Sequence, residues 1–124
     1  MDKYEMQERM TAFAVRIVKM VDSLPSTVAG KALARQLVRS GTSPSANYRA
    51  ACLAKSDKDF LNKLKMVEEE LDETCHWLDI IMRSEMLSVS RLQPLHQECK
   101  ELLSMVVKSV KTTKTRLKAD GTIK

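Results

Sequence analysis

Apolar side chains recur along this chain in steps of three and four, the repeat of one helix face. Met6, Met10, Phe13, Ile17, Met20 and Leu24 make the first such stripe, which ends at "SLPS" because the residue before a proline resists the α conformation. Phe60, Leu64, Val67, Leu71, Thr74, Leu78 and Ile81 make a second, opened by a capping-box pattern of Ser56 followed by Asp59. Leu92, Leu95, Cys99, Leu102, Val106, Val110, Thr113 and Leu117 make a third, with Ser88 or Ser90 as its cap and Pro94 near its start. These stripes are too long for strands, and the short connections force neighbours to run antiparallel.

The stretch "RQLVRSGTSPSANYRAACLAKS", Arg35 to Ser56, is less direct because it holds both Gly41 and Pro44. At 100° per residue, Leu33, Leu37, Ser40, Pro44, Tyr48 and Ala51 fall in one arc. Lys31, Arg35, Arg39, Thr42, Ala46 and Arg49 fall in the opposite one. Such a separation survives only if the helix continues through Gly41 and Pro44. The expectation is a helix kinked near Pro44, with Thr42 and Ser43 hydroxyls covering the carbonyl that the proline leaves without a donor. The small residues of the inward arc let a neighbouring backbone come close. The predicted fold is all-α, an antiparallel up-down-up-down four-helix bundle over residues 1–118, followed by a flexible basic tail over 119–124.

Composition adds to this picture rather than changing it. Apolar residues make up 44% and charged residues 30%, a balance that suits one cored domain of 124 residues. No apolar run approaches the ~20 residues of a membrane span, and "MDKYEMQERM" has no signal-peptide core, so the expected location is the cytoplasm. Cys52, Cys75 and Cys99 are too few and too widely spaced for a disulfide framework or a CxxC metal pair, and read as reduced, buried thiols.

Charge is distributed unevenly. Residues 108–124 carry six basic side chains and one acid, so the whole formal excess of +5 resides there. No acid occurs between Ser23 and Ser56, whereas "EEELDE" follows at 68–73. Spaced cations of this kind suit phosphate contacts. The candidates are Lys31 and Arg35 on the second helix, and Lys108, Lys111, Lys114, Arg116 and Lys118 on the fourth. No aromatic residue is near the last group in sequence, which favours recognition by charge and shape over base stacking. His76, His96 and the cysteines make only a weak metal constellation, and no phosphate loop, nucleophile elbow or HExxH motif occurs. No catalytic residue, metal or cofactor is expected. Trp77, one position from the main apolar arc of its helix, reads as a boundary residue suited to a subunit interface.

The segment Gln36 to Met82 carries a resemblance beyond periodicity. Arg39-Ser40-Gly41-Thr42-Ser43, Asn47-Tyr48-Arg49, Lys58-Asp59-Phe60, Lys63-Leu64-Lys65, Glu70, Glu73-Thr74 and Trp77-Leu78 resemble the four-helix bundle family encoded in the intervening sequences of bacterial 23S ribosomal RNA genes. The resemblance implies an up-down-up-down bundle that assembles into a ring, usually a homopentamer. It is also related to accessory proteins of diversity-generating retroelements, which present a basic surface to nucleic acid. Arg39, Tyr48, Arg49, Glu70, Glu73 and Trp77 are the residues it suggests for an oligomer interface. Arg39 and Arg49 are expected to pair with acids of the same motif, within one bundle or between subunits. Two departures stand out: Pro44-Ser45 where the family often has Ile-Gly, and Ala50 where it has Glu. The function implied is that of a non-enzymatic oligomeric bundle binding RNA or a ribonucleoprotein. The alternative is a structural or protein-interaction module without a nucleic-acid role.

Overall fold

A computed structural model describes residues 1–124. Four helices follow in order: α1 Lys3–Val21, α2 Val28–Cys52, α3 Asp57–Arg83 and α4 Val89–Ala119. Each begins on a side chain that accepts from otherwise unpaired amides. Asp2 takes the N–H groups of Tyr4 and Glu5, while the Glu5 carboxylate accepts from the Asp2 amide, closing a capping box. Thr27, Ser56 and Ser88 cap the other three helices, at Gly30, Asp59 and Arg91 respectively. The last helix stops on a Schellman motif. There Thr122 N–H reaches the Leu117 carbonyl, Gly121 N–H reaches Lys118, and Gly121 itself takes φ 74°. Ile123 then lies half-buried against the core.

Each helix packs on its neighbours in sequence, the backbones of the diagonal pairs stay apart, and α1 approaches α4 least. At about 1.5 Å per residue, the 31 residues of α4 reach well past the 19 of α1. The C-terminal turns of α4 therefore lie beside the start of α3 and the end of α2. The core is one cluster in which Met10, Phe13, Ile17, Leu37, Leu64, Leu71, Leu78 and Leu102 are almost wholly buried. At α3 the stripe differs by one position from the sequence expectation. Leu61 is buried where Phe60 was expected, and Phe60 is half-buried at the end of the bundle. Both positions continue the three-and-four spacing back from Leu64, by four and by three residues, and packing on the neighbouring helices selects Leu61.

The helix α2 is continuous through Gly41 and Pro44, both buried. The hydroxyls nearby act differently from the expectation. Thr42 donates back to the Val38 carbonyl at 2.5 Å and Ser45 to the Thr42 carbonyl at 2.8 Å, so neither Thr42 nor Ser43 covers Ser40. A threonine in a helix finds its own i−4 carbonyl first, since that is the acceptor its rotamer points at. Small residues let α2 approach its neighbours. Ser40 and Thr74 share a buried hydrogen bond at 2.9 Å between α2 and α3, and Thr74 also donates to the Glu70 carbonyl. The sparse α1–α4 seam is fastened by Arg9, whose Nε and Nη2 reach the two Glu98 oxygens at 2.8 and 2.6 Å. This two-pronged contact holds the Glu98 carboxyl below its ordinary range.

Candidate nucleic-acid interface

Antiparallel topology decides which cations share a surface. The start of α1, the α2–α3 turn and the C-terminal turns of α4 all fall at one end of the bundle. Lys108, Lys111 and Lys118 are exposed there and Lys114 is half-exposed, and none of the four makes an ion pair. Arg116 alone is engaged, its Nε and Nη2 on the two Asp57 oxygens at 3.1 and 3.0 Å. That contact ties the end of α4 to the first turn of α3. Lys3 and Lys55, which the charge pattern alone did not single out, join the same end, where they line a cavity with Arg116. Their signal lies in the topology. In an up-down-up-down bundle, the first residues and the second turn must lie beside the end of the last helix.

Lys31 and Arg35 do not join this surface. Both are exposed and unpaired, but they occupy the early turns of α2, at the opposite end of the bundle. From Lys31 to Lys55 the chain rises roughly 35 Å along α2. That end has cations of its own, since Arg16, Lys19 and Arg91 border a shallow groove between α1 and α4. Arg91 Nη2 also donates to the Ser23 hydroxyl, fixing the start of α4 to the α1–α2 turn. The basic residues therefore form two separate surfaces.

Aromatic side chains do reach the basic end, through the terminal cavity. It measures about 550 Å³, and Tyr48 and Phe60 both line it. Aromatic residues distant in sequence from the basic segment are thus beside it in space. Helix ends converge there, a proximity that linear distance along the chain conceals. The Tyr48 hydroxyl is pushed up to about 12, first by burial and then by its contact with Cys52.

The residues that the family resemblance suggested for an interface divide into two groups. Arg39 pairs with Glu70 at 3.0 Å and with Glu73, and Glu73 also accepts from Trp77 Nε1 at 3.2 Å. These four side chains form one network bridging α2 and α3 within a single chain, on a solvent-facing surface. The bond to Glu73 holds the Arg39 guanidinium further above its usual range. Trp77 is half-buried and lies 5.3 Å from the His76 ring. Arg49 is exposed without an ion pair, and Tyr48 belongs to the terminal cavity instead.

Of the three free cysteines only Cys99 is buried, whereas Cys52 and Cys75, expected to be buried as well, are half-buried at the boundary with solvent. Cys75 on α3 and Cys99 on α4 are neighbours across the α3–α4 seam, and the Cys99 thiol donates to the Leu71 carbonyl at 3.3 Å. The Cys75 contact and then burial push the Cys99 thiol up, whereas Cys75 is lowered by the same contact. No three His, Cys, Asp or Glu side chains gather in a way that could hold a metal ion. No helix is long and apolar enough to cross a membrane.

Comparison with known proteins gives two findings. Residues 2–108 match the family described as "23S rRNA-intervening sequence protein". Among solved structures, a protein of unknown function from the S23 ribosomal protein family of Bacteroides thetaiotaomicron VPI-5482 is similar, at a TM-score of 0.80 and 31% identity. The similarity covers 86% of this chain and 98% of that one. No curated protein matches significantly.

Proposed function

The chain belongs to the 23S rRNA-intervening sequence protein family, and from that premise we propose a non-enzymatic, cytoplasmic, oligomeric bundle that lays the basic end of each protomer on RNA phosphates. The observation that carries the proposal is the gathering of Lys3, Lys55, Lys108, Lys111, Lys114 and Lys118 at one end without a single ion pair among them. Arg116 is the exception among the cations there, being held by Asp57. Unpaired cations on a rigid end match a polyanion, and neutralising its phosphates releases counterions.

Assembly into a ring, most simply a pentamer, would gather several such ends and multiply weak contacts. Exposed apolar side chains on α1 and α2 favour self-association. Val15, Val18 and Val38 are 47%, 46% and 40% exposed, and Trp77 adds a half-buried indole on the α2–α3 side. The same apolar exposure favours the second reading, a protein-interaction module whose charge serves solubility.

The deciding measurement is RNA affinity across a salt series. Thr113 and Leu117 are buried, so cutting α4 short would remove core as well as charge. Substitution is therefore the better instrument. Lys108→Gln/Lys111→Gln/Lys114→Gln/Lys118→Gln should keep the oligomer and reduce the slope of log affinity against log salt by roughly 0.7–0.9 for each phosphate no longer neutralised. Lys31→Gln/Arg35→Gln should change it much less. Absence of binding by the unaltered protein at low salt would leave the interaction module as the function.

A further inference from the structure

The terminal cavity has a composition that phosphate contacts alone do not explain. Its lining combines the apolar and aromatic side chains of Ala51, Cys52 and Phe60 with the cations Lys3, Lys55 and Arg116. The cations come from three separate segments: the first turn of α1, the α2–α3 turn and the last turns of α4. Three cations against the one carboxylate of Asp57 leave the lining at +2. Asp57 is already engaged by Arg116, so Lys3 and Lys55 are the free charges. This open groove has a volume of about 550 Å³, room enough for a small organic group to rest in it.

A bare phosphate would meet the two lysines and leave the apolar wall wet. An apolar chain would cover the wall and leave the lysines without a counter-charge. The complementary object is a flat, weakly polar ring joined to a phosphate. Resting on the RNA-binding reading above, we infer that this cavity receives one unpaired nucleotide of the bound RNA, its base against Phe60 and its phosphate between Lys3 and Lys55. A base held in a duplex cannot enter, because its faces are stacked and its edge is paired. An unpaired base in a bulge or loop can be splayed into such a site. The basic lysines of α4, exposed beside the cavity, would then hold the flanking backbone.

The experiment compares two RNAs with the full-length protein at one salt concentration: a blunt duplex, and the same duplex with one unpaired nucleotide. The bulged RNA should bind about five- to a hundredfold tighter, the range that one base–aromatic contact carries. Ala54→Phe places a ring at the cavity, which Ala54 lines, without altering charge. It should abolish the preference while keeping blunt-duplex affinity and its salt slope. Equal affinity of the unaltered protein for both RNAs would overturn the nucleotide site and leave the backbone reading intact. A preference that persists in Ala54→Phe would also overturn it. Should neither RNA bind, the RNA reading falls, and a titration observed by NMR decides the cavity separately. Amide shifts in residues 51–55 caused by uridine monophosphate but not by inorganic phosphate uphold a nucleotide site, and identical shifts overturn it.

Discussion

Ile17 occupies the space that a side chain on Gly41 would need. A Cβ built on Gly41 would lie 2.8 Å from Ile17 Cγ2 and 2.9 Å from Cγ1. Glycine inside a helix ordinarily weakens it by roughly 0.5–1 kcal/mol relative to alanine. Here that penalty is accepted because α1 and α2 touch at this level. Ile17 is fully buried and branched at Cβ, so it cannot swing aside. Gly41→Ala should therefore destabilise the protein by about 1–2 kcal/mol, overpacking outweighing the helix gain. Chemical denaturation compares the two, and a stabilised variant would contradict the close approach.

Pro44 presents the reverse case. It lies inside a continuous helix, where it removes the amide that would reach the Ser40 carbonyl, and no nearby hydroxyl replaces that donor. An interior proline costs ~3 kcal/mol against an ordinary residue, set here against the packing of its buried ring. Pro44→Ala should leave the protein as stable or raise its melting temperature at constant oligomeric state. A clear fall would mean that the buried ring contributes more than the missing bond costs.

Acid should loosen the α1–α4 seam. Arg9 holds the folded-state pKa of Glu98 below its unfolded value, first by hydrogen bonding and then by charge. A depressed carboxyl contributes stability above the unfolded pKa, close to 4.5, and loses it as pH falls through the lower folded value. Glu98→Gln should cost roughly 1 kcal/mol at neutral pH. The gap between variant and parent should close as pH falls through the lowered folded-state value. Urea unfolding at several pH values tests this, and a gap that stays constant into acid would assign the loss to packing.

Trp77 tests assembly. Under the oligomer proposal, Trp77→Ala should lower the mass seen by light scattering at micromolar concentration toward the 14.1 kDa of one chain. Helix content should change little, because Leu78 and Thr74, not Trp77, carry the buried side of α3 at this level. A parent protein already at 14.1 kDa would reject assembly.

Thiol accessibility provides a pH-dependent check on the α3–α4 contact. Cys99 is buried and its thiol is pushed up by Cys75 and by burial, whereas Cys75 is half-buried and lowered. Because the thiolate is the nucleophile, Cys75 should alkylate before Cys99 in the folded protein, and its reaction should persist to lower pH. Mass spectrometry of partly alkylated protein reads the order directly. Cys99 reacting first would contradict the pairing.

The sequence by itself determined the four helices, the caps of α3 and α4 and nearly all of the buried faces. Helix periodicity is a local property: once apolar residues recur at three and four, one face must turn inward wherever the helix ends up. Even the passage through Gly41 and Pro44 was legible, since Arg35, Arg39 and Arg49 separate from Leu37, Tyr48 and Ala51 only on a continuous helix. What tertiary structure alone decided is which distant groups meet. Leu61 rather than Phe60 is buried because the inward face is set by packing on the neighbouring helices, and the displaced Phe60 becomes a wall of the cavity. Cys75 meets Cys99, and Arg9 meets Glu98, through the register of adjacent helices, which no spacing along the chain encodes. The basic end was visible only as a charged tail on α4. Lys3 and Lys55 joined it, and Lys31 and Arg35 were separated from it, because antiparallel packing brings alternate helix ends together and holds the others a full helix length apart.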